Sequence, residues 1–392
     1  MKLISIQRIL VQDMNATAGQ TYGGISIVAA MGFVHALQRS LKRHKHFADI
    51  QLNACAVLVH DYELRTFYND HHALKFLQSR NPPALHGLAD DKKSKTAPVI
   101  EEGKMQVELS LLIGYQGDIF PEVQSDFVQH LMQQSYRQRF AGGSIFKIDA
   151  IKLWQIPNDN HGKTVIRQLL RPLLPSFMPY QRSDILAEYQ HNHPEKDTID
   201  ALIDFISVKS VARPSHTVID RHIKQLTDQL EVQTAWQAHL AQPYGIQIPQ
   251  ILDNYFENLQ NHANLKSHKA LLNEWQNYQK PSAKTQAQWA YLPKPKKGYF
   301  VPMMCGYKAI GETLPASQVV GSRTTNPDDT VCFVEAVHTL AEWRGTHHIK
   351  DYADLAQSLW HYHYQPHWYL CQQQASDTAS PPQALVFDDY DF

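Results

Sequence analysis

The order in which hydrophobic periods change along residues 1–155 constrains this chain more than any other feature. Leu3 to Val11 alternates, with Ile4 and Ile6 on one side and Ser5 and Gln7 on the other, which is the two-residue period of a half-buried strand. From Ser26 to His46 the period lengthens. Ile27, Met31, Val34, Leu37 and Leu41 recur at three- and four-residue steps, the apolar stripe of a helix lying on a sheet. His35, Arg39, Lys42, Arg43 and His46 line its other side. Gln51 to His60 reads as an apolar strand, and Met105 to Ile113 alternates, with Val107, Leu109, Leu111 and Ile113 inward and Glu108 and Ser110 outward. Pro121 to Phe140 carries Val123, Phe127 and Leu131 at four-residue spacing, and Ala141-Gly142-Gly143-Ser144 ends it in the manner of a glycine C-cap. Ile145 to Trp154 is then a further strand. Strand-helix-strand-strand-helix-strand is the ferredoxin-like, or RNA-recognition-like, order, so the chain is expected to be an α+β protein with such a core.

Beyond residue 155 the composition changes. Leu169-Leu170-Arg171-Pro172-Leu173-Leu174-Pro175 breaks the chain, and Gln-, His- and Asn-rich helical stretches follow around Ile185–His191, Ile199–Val208, Val218–Leu240 and Ile251–Gln279. The expected organisation is a core at 1–155, a mostly helical inserted lobe at 156–290, and a C-terminal segment at 291–392 that completes the core. Gly298-Tyr299-Phe300-Val301-Pro302 resumes strand-like sequence, Asp351 to Tyr364 reads as a last helix, and Gln372 to Pro382 as a loose tail. Leu77 to Ala97, with Arg80-Asn81-Pro82-Pro83 and a charged run, reads as a solvated loop.

Charge narrows the functional classes. With 37 Lys and Arg against 38 Asp and Glu the net charge is −1, which argues against a free-standing nucleic-acid binder. A local basic groove stays open, because screening limits charges to a reach of about 10 Å. The four cysteines, Cys55, Cys305, Cys332 and Cys371, form no Cys-x-x-Cys pair and read as reduced, buried thiols. The N-terminus lacks a signal-peptide pattern and no apolar run approaches membrane-spanning length, so a cytoplasmic protein without a membrane partner is expected.

Several motifs carry candidate chemistry. Asn158-Asp159-Asn160-His161-Gly162-Lys163-Thr164 resembles a phosphate loop, but the leading glycine is replaced by Pro157. The 22 histidines, including His71-His72, His347-His348 and the pair His361 and His363, show no metal-ligand spacing, and neither a metal nor another cofactor is expected. Gln12-Asp13-Met14-Asn15-Ala16-Thr17 reads as a polar loop beside the first helix. Gly32 interrupts that helix at a cost of about 1 kcal/mol, which calls for a close approach of another segment. His35 on the same helix is either a general base for ribose chemistry or a contact residue, and no second titratable partner favours the first. Arg137, Arg139, Gly142, Gly143, Ser144 and Lys147 form a basic, glycine-containing corner that suits phosphate oxygens and a plain helix end equally well. The aromatic signature of ordinary RNA-recognition domains is missing, so stacking on an open sheet is not expected.

Taken together, several blocks resemble one known family. They are Val11-Gln12-Asp13-Met14-Asn15-Ala16, Gly32-Phe33-Val34-His35-Ala36-Leu37-Gln38-Arg39, Ile100-Glu101-Glu102-Gly103, Val107 to Gly114, and Arg139-Phe140-Ala141-Gly142-Gly143-Ser144. Gly298 to Pro302, Gly306-Tyr307, Phe333-Val334-Glu335 and Glu342-Trp343 complete the set. This pattern is similar to the type I-F CRISPR-associated Csy-two family, the Cas-five-like subunit of a surveillance complex. The resemblance implies a non-catalytic, RNA-recognition-like protein that holds the 5′ handle of the guide CRISPR RNA. Its implied partners are that RNA, the large subunit and the first backbone subunit, with target DNA near the PAM left open. It places Gln12, Asn15, His35, Gln38 and Arg39 in or near the handle groove and Gly142, Gly143 and Ser144 on its second wall. Arg137 and Arg139 join them as expected RNA contacts. The alternative is a metal-independent CRISPR RNA-processing endonuclease that uses His35. The chain departs from the family pattern at Thr346-His347-His348, at Tyr22-Gly23-Gly24-Ile25, and in its long middle lobe.

Overall fold

The computed structural model describes residues 1–17, 22–68, 74–80, 99–242, 247–261, 265–322, 324, 326 and 328–373. The chain divides into two compact units, Met1–Leu202 with the segment from Gly298 onward, and Ile203–Lys297.

The first unit is built on an eleven-stranded antiparallel sheet. Its elements in chain order begin with β1 (Lys2–Asn15), α1 (Ile27–Lys42), β2 (Gln51–Leu64), β3 (Lys104–Gln116) and α2 (Gln124–Arg137). They continue with β4 (Arg139–Phe140), β5 (Gly143–Lys147), β6 (Ala150–Gln155), α3 (Asn160–Leu170) and β7 (Phe177–Gln181). After α4 (Ser183–Asn192) and α5 (Thr198–Ile206) the chain enters the second unit, and it returns through β8 (Tyr299–Ala309), β9 (Val334–Gly345), β10 (Trp360–Gln365) and β11 (Trp368–Gln373). The sheet order is β7-β9-β8-β11-β10-β2-β3-β1-β5-β4, with β6 also on β1. β7 pairs with β9 over five positions and with β2 at Phe177 and Val59, so β2, β10, β11, β8, β9 and β7 form a closed circuit.

α1 starts at Ser26, whose hydroxyl accepts the Ala29 N–H at 3.2 Å, and ends with Arg39 and Lys42 beside its negative pole. Its stripe of Ile27, Met31, Phe33, Val34, Leu37 and Leu41 is buried against Ile4, Ile6, Ile113 and Val57 of one sheet face. The same core takes in Met303, Ala341, Trp360 and Cys371 of the C-terminal strands, so α1 packs on both halves of the sheet. The reverse face is covered as well. Ile166, Leu169 and Leu170 of α3, with Leu173, Met178, Leu355 and Leu359, close over Leu3, Ala54, Ala56, Leu58 and Leu112.

That second layer corrects the inward-outward reading of the strands. Ser5, Gln7 and Ser110 occupy the side expected to be solvated, yet all three are buried. Their polar groups are satisfied in place: Trp154 Nε1 and Gln7 Nε2 donate to Ser5 Oγ at 2.9 and 3.0 Å, and the Arg8 N–H donates to Ser110 Oγ at 2.8 Å.

The segment expected as one last helix, 351–364, is a short helix α10 (Tyr352–Gln357) followed by β10, where Trp360 to Tyr364 alternates with histidine. Gln372 and Gln373 end β11 rather than opening a tail, and the remainder of that stretch lies outside the described residues. Pro121 to Phe140 is likewise divided, into a 3-10 turn at Pro121–Val123, α2 and β4.

The second unit holds α6 (Thr217–Lys224), α7 (Leu230–Ala241), α8 (Gln250–Asn261) and α9 (Leu265–Gln279), so each of the two long helices read there is broken in two. Ile219, Ile223, Trp236, Leu252, Phe256, Leu271 and Trp275 make their common core. A two-stranded ribbon, Ser210–Pro214 against Ala287–Tyr291, frames the bundle.

Candidate nucleic-acid interface

Gln12 to Asn15 is strand, not loop. Val11, Met14 and Ala16 are buried, which leaves Asn15 exposed and Gln12 half-buried on the outer side. Asp13 takes the strain of a bulge at φ 57°, and its carboxylate meets Arg65 at 2.6 Å. β1 then meets the β4–β5 hairpin with Gln12 opposite Ser144.

The glycine corner has a different local cause from the one expected. α2 ends at Arg137 and Gln138 is already extended, so no glycine caps it. Phe140 pairs with Gly143 across a two-residue turn in which Ala141 and Gly142 have φ of 46° and 83°. Two consecutive positive φ values define a type I′ hairpin. Gly143 is forced by proximity: a Cβ there would lie 2.7 Å from the Gln12 carbonyl oxygen and the Met14 nitrogen. The Asn15 N–H donates to the Ala141 carbonyl at 3.0 Å, Lys104 Nζ donates to Asn15 Oδ1 at 2.9 Å, and Arg139 reaches the Gly142 carbonyl at 3.4 Å. Gln12, Asn15, Arg139, Gly142, Gly143 and Ser144 are thus one corner, with Arg137 exposed at the α2 end nearby in sequence. Sequence reasoning missed Lys104. It stands opposite Asn15 in the antiparallel register, and only the pairing reveals it.

His35, Gln38 and Arg39 sit elsewhere, along α1. His35 is half-buried with its ring edge-on to Tyr362 at 6.4 Å, and burial, then Arg39 and Lys42, lowers its pKa from the ordinary histidine value. Gln38 is engaged by the chain itself: its Nε2 donates to the Ile50 carbonyl at 2.9 Å and its Oε1 accepts the Leu52 N–H at 2.5 Å. Leu52 faces Tyr115 of β3, whereas Asn15 faces Lys104 at the other end of that strand. The rise along β3 between those positions is roughly 35 Å. Phe33 of the same helix nevertheless meets Phe140 of the corner edge-on at 5.4 Å, so α1 runs from that corner toward the Gln38 end. Gly32 is exposed, and a Cβ there would meet nothing within 4 Å, so the close approach expected of it does not occur.

A third feature was invisible in sequence. Tyr22, Gly23 and Gly24, Val59 to Tyr62, Phe177, Tyr299 to Met303 where they face inward, and Trp343 line a pocket of about 450 Å³. Tyr22, Tyr62, Phe177 and Tyr299 are each more than half exposed at its rim. His60 forms part of the wall and is held between two partners, the Pro175 carbonyl at 3.1 Å from Nδ1 and Ser110 Oγ at 2.7 Å from Nε2. Burial lowers its pKa, against the pull of the Pro175 hydrogen bond. A neutral ring in one tautomer satisfies both contacts.

At the start of α3 the Asp159 carboxylate accepts the Gly162 N–H at 2.8 Å, filling the place that a phosphate would take in a nucleotide loop. Among the described residues no cluster of three or more His, Cys, Asp or Glu is arranged to hold a metal.

The fold and these patches describe a mixed helix-and-strand protein on an antiparallel sheet; among the described residues no helix is long and apolar enough to cross a membrane. The family model described as CRISPR-associated protein (Cas_Csy2) matches residues 4–250 and 244–371, so the chain belongs to the Csy2 family of CRISPR-associated proteins. It is 25% identical over 379 residues to the CRISPR-associated protein Csy2 of Pseudomonas aeruginosa (strain UCBPP-PA14), covering 93% of this chain and 92% of that protein. Membership makes it a protein of type I-F CRISPR antiviral defence and of the Csy complex.

Proposed function

We propose that the chain is a non-catalytic RNA-binding subunit of the type I-F surveillance complex, holding the 5′ handle of the guide RNA and docking the large subunit and the first backbone subunit. The observation that carries this reading is the convergence of segments distant in the sequence. Tyr22 to Gly24, Tyr299 to Met303 and Trp343 come from three ends of the sequence and meet around one aromatic pocket. A pocket of that size with tyrosine rims suits an unstacked base, the form in which single-stranded RNA is read. Strand order supports the RNA-recognition-like core: β6-β1-β3-β2, with α1 and α2 on one face, is the arrangement of a ferredoxin-like sheet. The basic corner at Asn15, Lys104 and Arg139 supplies phosphate contacts, and His35, kept toward its neutral form, serves as a hydrogen-bonding contact rather than a charge. The overall charge of −1 suits a subunit whose RNA affinity is completed by its neighbours.

Co-expression with the large subunit and a guide RNA, followed by chemical footprinting, tests the reading. Protection of the 5′ handle is expected, and a handle as reactive as in free RNA refutes it. Purified protein incubated with repeat RNA is expected to leave it intact. Cleavage that disappears in His35→Ala would establish the endonuclease instead.

A further inference from the structure

We infer that the two-stranded ribbon of the second unit is a stacking platform for single-stranded nucleic acid, separate from the handle site. Side chains on a strand alternate between faces, so Trp289 and Tyr291 project from the same side. They are 66% and 68% exposed. Opposite them in the register stand Ala212 and Ser210, and Pro214 stands opposite Ala287, so this face is a bed of small residues carrying two large rings. On the other face Ala290 is half-buried and Arg213 donates to the Gln242 carbonyl at 2.5 Å, while Val211 and Gln288 are exposed.

Charge identifies the occupant. From Trp275 to Lys297 there are five lysines and no carboxylate, in a chain whose cations and carboxylates balance overall at 37 to 38. Lys280, Lys284, Lys296 and Lys297 are exposed. The other strand, from Phe205 to Ile219, again holds no carboxylate, and its cations are engaged, Lys209 by Asp204 and Arg213 by the Gln242 carbonyl. The acids flanking these segments are engaged: Asp204 pairs with Lys209, and Glu274 accepts the Val218 N–H at 2.8 Å. Aromatic faces interleaved with cations are the combination that takes successive bases by stacking and their phosphates by charge, with little preference for sequence. A protein partner would find exposed rings equally useful but has no need of a carboxylate-free run of lysines.

The test uses the full-length protein and fluorescein-labelled oligothymidylate and oligouridylate, neither of which contains a handle sequence, so its outcome is independent of handle binding. Trp289→Ala is expected to weaken both by about 5- to 150-fold, the effect of removing one stacking ring, while Trp289→Phe keeps most of the affinity. Combined Lys294→Gln, Lys296→Gln and Lys297→Gln is expected to flatten the salt dependence by roughly two in slope. Far-UV circular dichroism of each variant confirms that the bundle is folded. Unchanged homopolymer affinity in folded Trp289→Ala overturns the inference, as does a duplex bound as tightly as the single strand. Weakened subunit assembly with homopolymer binding intact would also overturn it, assigning the ribbon to a protein partner.

Discussion

A methyl group placed on Gly143 has nowhere to go, and one placed on Gly32 meets only solvent. Gly143→Ala is therefore expected to push the hairpin off β1 and cost about 1–3 kcal/mol, the usual penalty of overpacking, read as a lower urea midpoint. Gly32→Ala should do the reverse. It removes the conformational freedom of an exposed helical glycine and is expected to stabilise by about 1 kcal/mol in the same assay. A single sequence cannot separate these two glycines, because what decides them is a neighbouring strand far away in the chain. At the pocket, Tyr299→Ala is expected to weaken handle binding by about 1–3 kcal/mol if its ring stacks on a base, measured by anisotropy with a handle oligonucleotide. Of the rings of that pocket, Tyr299 and Trp343 were legible as members of resemblance blocks and Tyr22 as a departure from the family pattern. Their assembly was not, since nothing in the spacing of Tyr22, Tyr299 and Trp343 announces that they share a wall.

Elements with one clean period were easy to read and those with two neighbours were not. α1 begins and ends close to where its stripe predicts, because one face packs and the other is solvated. β1 and β3 misled on their reverse side. Ser5, Gln7 and Ser110 look like solvent positions by type, but the α3 layer buries them and they bond to one another's surroundings. In the second unit the helices are joined through histidine–tyrosine pairs, His222 with Tyr255 at 2.7 Å and His239 with Tyr278 at 2.8 Å. Burial lowers both histidine pKa values, aided by His268 for the first and by Arg213 and His216 for the second. Each ring therefore resists protonation in the fold and takes up a proton more readily once the bundle unfolds. The stability it contributes is complete above the unfolded-chain value near 6.5 and is lost as the pH falls below it, by at most about 1.4 kcal/mol per histidine per unit. Urea melts followed by near-UV circular dichroism should show a lower midpoint at pH 5.5 than at pH 7.5. An identical midpoint at both would mean that these rings take up protons as readily in the bundle as in the unfolded chain.

Across the whole molecule, charge is sorted more strongly than the net value suggests. The Asn15–Lys104–Arg139 corner and the α1 patch around Arg39 lie in the first unit, while the carboxylate-free lysine run belongs to the second. Handle affinity of the assembled complex is expected to fall with salt, and combined Arg39→Ala and Arg137→Ala should reduce that slope by about one to two, one phosphate contact per arginine lost. A slope equal to that of the unmutated protein would remove both arginines from the interface. The alternation of long strands and helices in residues 1–155 was legible because local periods encode it, but Ile145 to Trp154, read as one strand, is divided between β5 and β6. How the strands from Tyr299 to Gln373 join the same sheet was not legible, because antiparallel pairing across more than two hundred residues leaves no local trace.

The closed circuit of strands has a consequence for synthesis. β2 is made early, yet its edge partners, β7 at Val59 and β10 at Ala54 and Cys55, include a strand that leaves the ribosome only near the end of the chain. At the usual elongation rates the interval is roughly 15–60 s. For that time an apolar edge running through Ala54-Cys55-Ala56-Val57-Leu58-Val59 has no complete neighbour, the state in which strands recruit other chains. Truncation before β10 is thus expected to yield aggregate rather than a shortened protein, and yield in the cell should depend on how quickly the last residues arrive.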